Sequence, residues 1–465
     1  MHTESRRVIG GWAAASVVMG SMVGIGVFLA PPVVASHVSS TWGFLAVWVA
    51  GGLTALAGAV AVAELGAMLP HAGGDYVFVR EAFGPSVSFA SGWVLFGPVF
   101  AGSIAAISSA LCQYQIPVVL RALAAALGLP TPDLSSPLTG LPFPLSGGQL
   151  LAAAIVLAIT TANALGTRLS ASLQGALTGA AILCLVLLAG AGLASGGAAP
   201  TVGPDPATVP LTLSGLVAAY LPVYFAYSGW NAVVYVAGEV RDPGRTLPRA
   251  LFLGTALVTA IYLLLTSAFV GVFGVSGLRE VGEAGSALAA RLGGPSLQVG
   301  VAAVVLVALL GALNGAVLGG ARVAYAMART GDFWGGAAHL SGHGVPARAL
   351  WIQAALAVAL VLTGTFEQVL SLAGLAMQLT GTLAVSALFV LRHRSPERPR
   401  PYRATGYPFV PLLYLAVAGT VMVTKAVESV GGAGLGPRLP ILGLGAFVVA
   451  WSFHRFGIAA RGQEG

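Results

Sequence analysis

The chain has 465 residues, of which 57% are hydrophobic and only 8% charged, with a mean hydropathy of +0.89. A soluble domain carries about a quarter charged residues, so this composition excludes one and marks an integral membrane protein built of helices. The net charge of +7 comes from basic residues spread over alternate connecting segments, which suits a lipid bilayer and argues against a nucleic-acid-binding face.

In chain order, the start "MHTESRRVIGGWAAASVVMG" has a basic flank, but its apolar run is too long for a signal peptide and lacks a small-x-small cleavage site. It reads as a retained first helix. Apolar segments then follow at roughly 8–35, 43–68, 85–119, 148–164, 172–196, 212–238, 249–275, 297–328, 349–364, 367–391, 408–425 and 437–457, about twelve spans. Arg6, Arg7, Arg80, Arg168, Arg241, Arg245, Arg322, Arg329 and the cluster at 392–403 fall on one side. Arg121, Arg279, Arg291, Lys425 and Arg438 fall on the other. The positive-inside rule then places both termini in the cytoplasm of a multi-pass plasma (inner) membrane protein. The outer connections, such as "LPTPDLSSPLTGLPFPLSGG" at 129–148, are rich in Pro, Gly and Ser, and 1–465 reads as one membrane domain without a second globular module.

The first span contains "GSMVGIGVF" at 20–28. As one straight helix, 8–35 would be about 42 Å long, more than the ~30 Å hydrocarbon core requires. Gly20, Gly24 and Gly26 therefore mark either an unwinding point near mid-membrane or a small-residue packing face. The sixth segment, "LPVYFAYSGWNAVVYVAGEV", is interrupted at comparable depth by Pro222, Ser228, Gly229 and Asn231. Paired interruptions in corresponding helices of two halves point to a transporter site.

A broken helix exposes N–H groups to an anion and carbonyls to a cation. An amino acid zwitterion needs both, and the spans offer almost no charge of their own. The backbone at Gly24, Ile25 and Gly26 is thus expected to hold a carboxylate. The carbonyls near Met22, Phe225, Ala226 and Ser228 are expected to hold an ammonium. No buried acidic counter-charge is expected at mid-membrane depth.

At these residues the chain resembles the amino acid/polyamine/organocation superfamily, and more closely its L-type amino acid transporter branch. "VGIGVF" at 23–28 is similar to the family's first-helix signature, and "YFAYSGWNAVVYVAGEVRDPGRTLPRAL" at 224–251 to its sixth helix and following loop. "AELGAMLPHAGGDYVFVREAFG" at 63–84, "NALGTRLSASLQGALTGA" at 163–180 and "LNGAVLGGARVAYAMARTGDF" at 313–333 extend the resemblance over most of residues 8–390. It implies an all-α fold of about twelve transmembrane helices with helices 1 and 6 discontinuous. Two inverted five-helix repeats, 8–196 and 212–391, would be followed by two further helices at 408–457. It also implies alternating access around an amino acid, Phe225 as an aromatic gate, and Ser103 and Asn314 lining a side-chain pocket.

Three departures bear on mechanism. The middle of the first-helix motif, often serine in the family, is Ile25. A helix-5 lysine found in many relatives is replaced by Ala181, and the helix-8 hydroxyls of sodium-coupled members by Gly319, Gly320 and Ala321. Sodium needs several oxygen ligands, so exchange or facilitated transport of neutral L-amino acids is expected. Proton-coupled amino acid transport, amine or polyamine symport, and a non-transporting sensor are the alternatives. Residues 120–147 contain no cysteine, so no disulfide-linked accessory subunit is expected.

Glu64 and Glu239 end their apolar segments and read either as partners of Arg322, Arg329 or Arg245 in a cytoplasmic closing network or as ordinary interfacial residues. Tyr227 and Trp230 read equally as pocket lining or as packing. His37, His71, His339 and His343 lack ligand spacing, Cys112 and Cys184 sit in apolar runs, and no metal or cofactor is expected. A channel would need a filter loop or polar lining. An enzyme would need a nucleophile–base set, an HExxH run or a phosphate loop. None occurs in the sequence.

Overall fold

The computed structural model describes residues 7, 9–138, 145–165, 171–195, 210, 212–342, 344–364, 366–431, 445, 447–452 and 454–455. The first apolar run is split into α1 (Gly11–Met22) and α2 (Gly26–Ala35), whose axes differ by 42°. Val23 turns to an extended conformation while its N–H still closes on the Met19 carbonyl at 2.8 Å. α2 then begins at Gly26 without a side-chain cap; the N–H groups of Phe28 and Leu29 close on the Ile25 carbonyl, which leaves those of Gly26 and Val27 ahead of the first intrahelical bond.

α3 (Thr41–Met68) starts at Ser40, whose hydroxyl accepts the Gly43 N–H. The amphipathic α4 (Asp75–Phe83) connects it to α5 (Pro85–Leu127). Within α5 the turns at Leu95–Ala101 and Leu111–Gln115 are π-helical. Pro98 lies in the first, where its missing N–H is absorbed by a wider turn. α6 (Gly147–Ala164) opens on a reciprocal cap between Ser146 and Gln149, and α7 (Ala171–Ala194) follows.

The sixth span is α8 (Leu213–Ala226), a turn at 227–231 and a 3-10 helix, Ala232–Glu239. α9 (Pro243–Arg279), α10 (Ala284–Arg329, bent at Gly293 and Gly294), α11 (Ala347–Thr363), α12 (Phe366–Arg394) and α13 (Phe409–Gly431) complete the described helices. Among the described residues, seven helices are individually long and apolar enough to span a membrane. The α1–α2 pair makes an eighth, and α8, α11 and Thr178–Ala194 are shorter apolar helices. The expected segment 437–457 lies mostly outside the described residues.

The core is centred on α1, α3 and α9, where Trp48, Tyr227 and Tyr262 pack ring on ring. On outer faces Trp42, Leu187, Leu253 and Val423 are exposed, as residues facing lipid tails are. At the arginine-rich end the chain before α1 joins the end of the sixth span. Ile9 N–H donates to the Glu239 carbonyl and Arg241 N–H to the Ile9 carbonyl, both at 2.9 Å. The two broken spans are thus tied together at one face of the bundle.

Candidate functional site

The two breaks touch. A Cβ on Gly26 would lie 2.5 Å from the Ala226 Cα, and one on Gly229 would lie 2.6 Å from the Ser21 carbonyl oxygen. Gly229 also has φ +92°, a conformation that glycine alone adopts without strain. Glycine at these two positions lets the unwound segments approach backbone to backbone.

Beside the contact is a cavity of about 120 Å³. Leu95, Val99, Ser103 and Ile107 line it from α5 at intervals of one turn, and Ala312, Gly315, Ala316 and Gly319 form a small-residue wall on α10. The sixth span contributes Phe225, Ser228, Gly229, Trp230, Asn231 and Tyr235, while Ser21 comes from α1 and Thr380 from α12. The Ser103 hydroxyl donates to the Val99 carbonyl at 2.5 Å, and that of Thr380 to Ala376 at 3.0 Å.

Of the residues singled out from sequence, Phe225, Ser228, Trp230 and Ser103 line this cavity. Ala226 packs on Gly26. Ile25 is buried, and its carbonyl accepts from Phe28 and Leu29. The Met22 carbonyl accepts the Tyr262 hydroxyl at 2.7 Å, so one of its lone pairs is taken. Gly24 borders a separate apolar void of about 10 Å³ together with Ala181. Tyr227 faces the aromatic core rather than the cavity. Asn314 accepts from Asn163 at 2.7 Å, in the contact between α6 and α10, and is not among the cavity-lining residues.

Asp75, the first residue of α4, also lines the cavity, although no acidic residue was expected there. It is 1% exposed, and its Oδ2 accepts from Asn231 at 2.7 Å and from the Tyr235 hydroxyl at 2.9 Å. Burial pushes its carboxyl up to about 7, against the opposing effect of those two hydrogen bonds. In the sequence Asp75 sits in a connecting loop, and nothing local signals that the loop folds back against a broken helix.

Below the cavity the Phe100 and Tyr235 rings meet edge to face, with centroids 5.2 Å apart. Beyond them a vestibule of about 710 Å³ opens at the arginine-rich face, lined in part by Tyr76, Arg80, Glu239, Arg322 and Arg329. Arg322 donates to Glu239 Oε1 at 2.8 Å, one of the pairings considered from the sequence. Glu64 has other partners: it pairs with Arg392 and Arg400 rather than with Arg322, Arg329 or Arg245. Its carboxylate meets the end of α12, and Glu64 is not among the residues lining the vestibule.

Because the Arg322–Glu239 pair is partly exposed, removing it is expected to shift the balance of conformations modestly. Glu239→Gln should change transport about two- to fivefold, equivalent to ~0.5–1 kcal/mol. The reversed pair Glu239→Arg with Arg322→Glu should restore most of the loss. Equal transport in the single and reversed variants would remove the pair from the gate. Among the described residues, no group of three His, Cys, Asp or Glu side chains could hold a metal ion.

Residues 9–449 match the family model described as amino acid permease. The chain is 28% identical to the serine/threonine exchanger SteT of Bacillus subtilis (strain 168), over 96% of this chain and 97% of that one. It is 26% identical to the mouse (Mus musculus) b(0,+)-type amino acid transporter 1, over 99% and 91%, and 27% identical to the human (Homo sapiens) Asc-type amino acid transporter 1, over 95% and 83%. A model matching nearly the whole chain, on an all-helical membrane fold with two broken spans meeting at a small cavity, makes this a transporter rather than an enzyme, and the chain belongs to the amino acid permease family.

Proposed function

We propose that the chain moves neutral L-amino acids across the plasma membrane by alternating access, through sodium-independent exchange or facilitated transport. The observation that carries this reading is the contact of two unwound segments beside a cavity of about 120 Å³, below the ~300 Å³ at which drug-sized pockets begin. N–H groups at Gly24, Ile25 and Gly26 would take the carboxylate. Carbonyls of Phe225, Ala226 and Ser228, with the remaining lone pair of Met22, would take the ammonium. Phe225, which lines the cavity with Ser103 and Trp230, would cover the bound substrate.

In this reading residues 8–196 and 212–391 are two inverted repeats, 408–457 adds two helices, and the arginine-rich face is cytoplasmic with both termini on it. Two relatives are named as transporters and one as an exchanger of amino acids, which supports the substrate class. Against sodium coupling stand the contacts of α10. Gly319 makes room for Phe100 and Gly320 for Gln353, so neither position offers a side-chain oxygen. The absence of cysteine from 120–147 supports action without a disulfide-linked subunit. One observation favours a second reading, an amine or polyamine as substrate: the buried Asp75 carboxylate on the cavity wall.

The test is uptake of labelled L-serine, L-threonine and L-leucine into proteoliposomes, with D-enantiomers and a diamine as competitors. Expected are stereoselective, saturable uptake, stimulation by internal amino acid, and no change when choline replaces sodium. Competition by the diamine but not by amino acids would favour the second reading. A requirement for sodium would overturn the proposed coupling.

A further inference from the structure

Asp75 stands at the partition between the two cavities. It lines the central cavity, while the next residues of α4, Tyr76 and Val77, line the vestibule. The sixth span is divided likewise, with Tyr235 on the cavity side and Val236 and Glu239 on the vestibule side. The hydrogen bond from Tyr235 to Asp75 therefore joins the two halves of the floor, and Asn231 links the same carboxylate to the unwound segment. Asp75 Oδ1 is buried and has no hydrogen-bond partner. Among the described residues, it is the one such side-chain atom that belongs to the cavity lining.

A bare carboxylate oxygen held away from water is costly. A proton relieves that cost while the floor is closed. Water relieves it once the floor parts and the vestibule reaches Asp75. From this placement, and resting on the transporter reading above, we infer that Asp75 is a proton-binding site of the transport cycle, occupied when the cytoplasmic floor closes and emptied to the vestibule when it opens.

The surrounding groups leave Asp75 to set this response. Tyr235 donates to it, and the phenols of Tyr224 and Tyr414 are close enough to feel its charge. The cations on its own and neighbouring elements are engaged elsewhere. Arg80 pairs with Asp332, which also faces His454 at 3.6 Å. Arg322 pairs with Glu239, Arg392 with Glu64, Arg394 donates to the Ala82 carbonyl, and Arg329 lies over the Tyr325 ring.

The sign follows from linkage. In the closed floor burial raises the Asp75 carboxyl to about 7, whereas in the water-filled vestibule it returns toward the ordinary carboxylate range. Closing thus takes up a proton. The extra stability of the closed floor is complete below the open-state value and is lost as pH rises through about 7. Between pH 6 and 8 the open-to-closed ratio should rise about tenfold.

The experiment uses the full chain in proteoliposomes, with Ser103→Cys introduced after replacement of Cys112 and Cys184 by alanine. An impermeant thiol reagent is applied from the cytoplasmic side, and its rate is divided by its rate with a free thiol at the same pH. Labelling is expected to be about tenfold faster at pH 8 than at pH 6 with Asp75 present. With Asp75→Asn, a mimic of the protonated form, it is expected to be slow at both. L-serine exchange by the chain without the cysteine substitutions is followed over the same range, and Asp75→Glu serves as the second variant should the asparagine variant unfold. A pH dependence unaltered by either substitution, or no pH dependence at all, would overturn the proton site. Loss of amine competition in Asp75→Asn with the pH response intact would overturn it in favour of an amine counter-charge. Serine exchange missing at every pH while the labelling remains pH-dependent would instead remove the transporter reading and leave the proton site standing.

Discussion

Gly229→Val is expected to reduce amino acid transport at least tenfold without preventing insertion of the protein into the membrane. Two effects add. The backbone at Gly229 has φ +92°, which costs a residue with a side chain about 1–2 kcal/mol in the left-handed region and more for a β-branched one. The new Cβ would also stand 2.6 Å from the Ser21 carbonyl oxygen and 2.8 Å from its carbon. Those are backbone atoms, so the clash is relieved only by moving the two unwound segments apart. Since 1.4 kcal/mol is a factor of ten in an equilibrium, strain alone disfavours the substrate-ready arrangement about tenfold.

Gly26→Val should behave alike, because its Cβ would meet the Ala226 Cα at 2.5 Å. Gly300→Ala on α10, where an added Cβ meets nothing within 4 Å, should transport normally. Uptake normalised to incorporated protein, with a thermal melt of each variant in detergent, separates a distorted site from an unfolded chain. Full transport by Gly229→Val and Gly26→Val would mean that the breaks do not form the site.

The helices and both breaks were legible because each depends on local sequence. Apolar runs of membrane-spanning length can do little but form helices, and glycine at 26 and 229 permits a close approach that other residues resist. The direction in which side chains point was legible only in part. Phe225, Ser228, Trp230 and Ser103 line the cavity, whereas Tyr227, in the same sixth span, and Asn314, on the α10 wall, turn to other neighbours. A rotation of one residue, 100° on a helix, separates those outcomes, and π-helical turns such as that at Leu95–Ala101 shift the register without a distinct sequence signal beyond Pro98. Long-range polar contacts were not legible at all. Asp75 meets Asn231 across 156 positions, and Glu64 meets Arg392 across 328. Position in a loop or at a helix end sets neither partner.

That second contact is a buried, multiply bonded ion pair and should fail visibly when cut. Glu64 is fully buried near the end of α3. It accepts two hydrogen bonds from Arg392, at 3.0 and 2.5 Å, one from the Ala404 N–H at 2.6 Å, and faces Arg400 Nε at 3.2 Å. Arg392 also stacks on the Tyr407 ring, 3.8 Å from its centroid. Glu64→Ala leaves two guanidinium groups side by side without their anion, and breaking a buried pair in this way costs about 3–5 kcal/mol. The melting temperature in detergent should fall by several degrees and the segment after α12 should become sensitive to protease. Glu64→Gln keeps the shape and an acceptor but loses the charge, and should fall between the two. The Arg398–Glu81 pair nearby is a control: both side chains are about a third or more exposed, so Arg398→Ala should cost less than ~1 kcal/mol. Equal melting temperatures for Glu64→Ala and Arg398→Ala would mean that water reaches Glu64, and that α3 and α12 are held together by apolar packing alone.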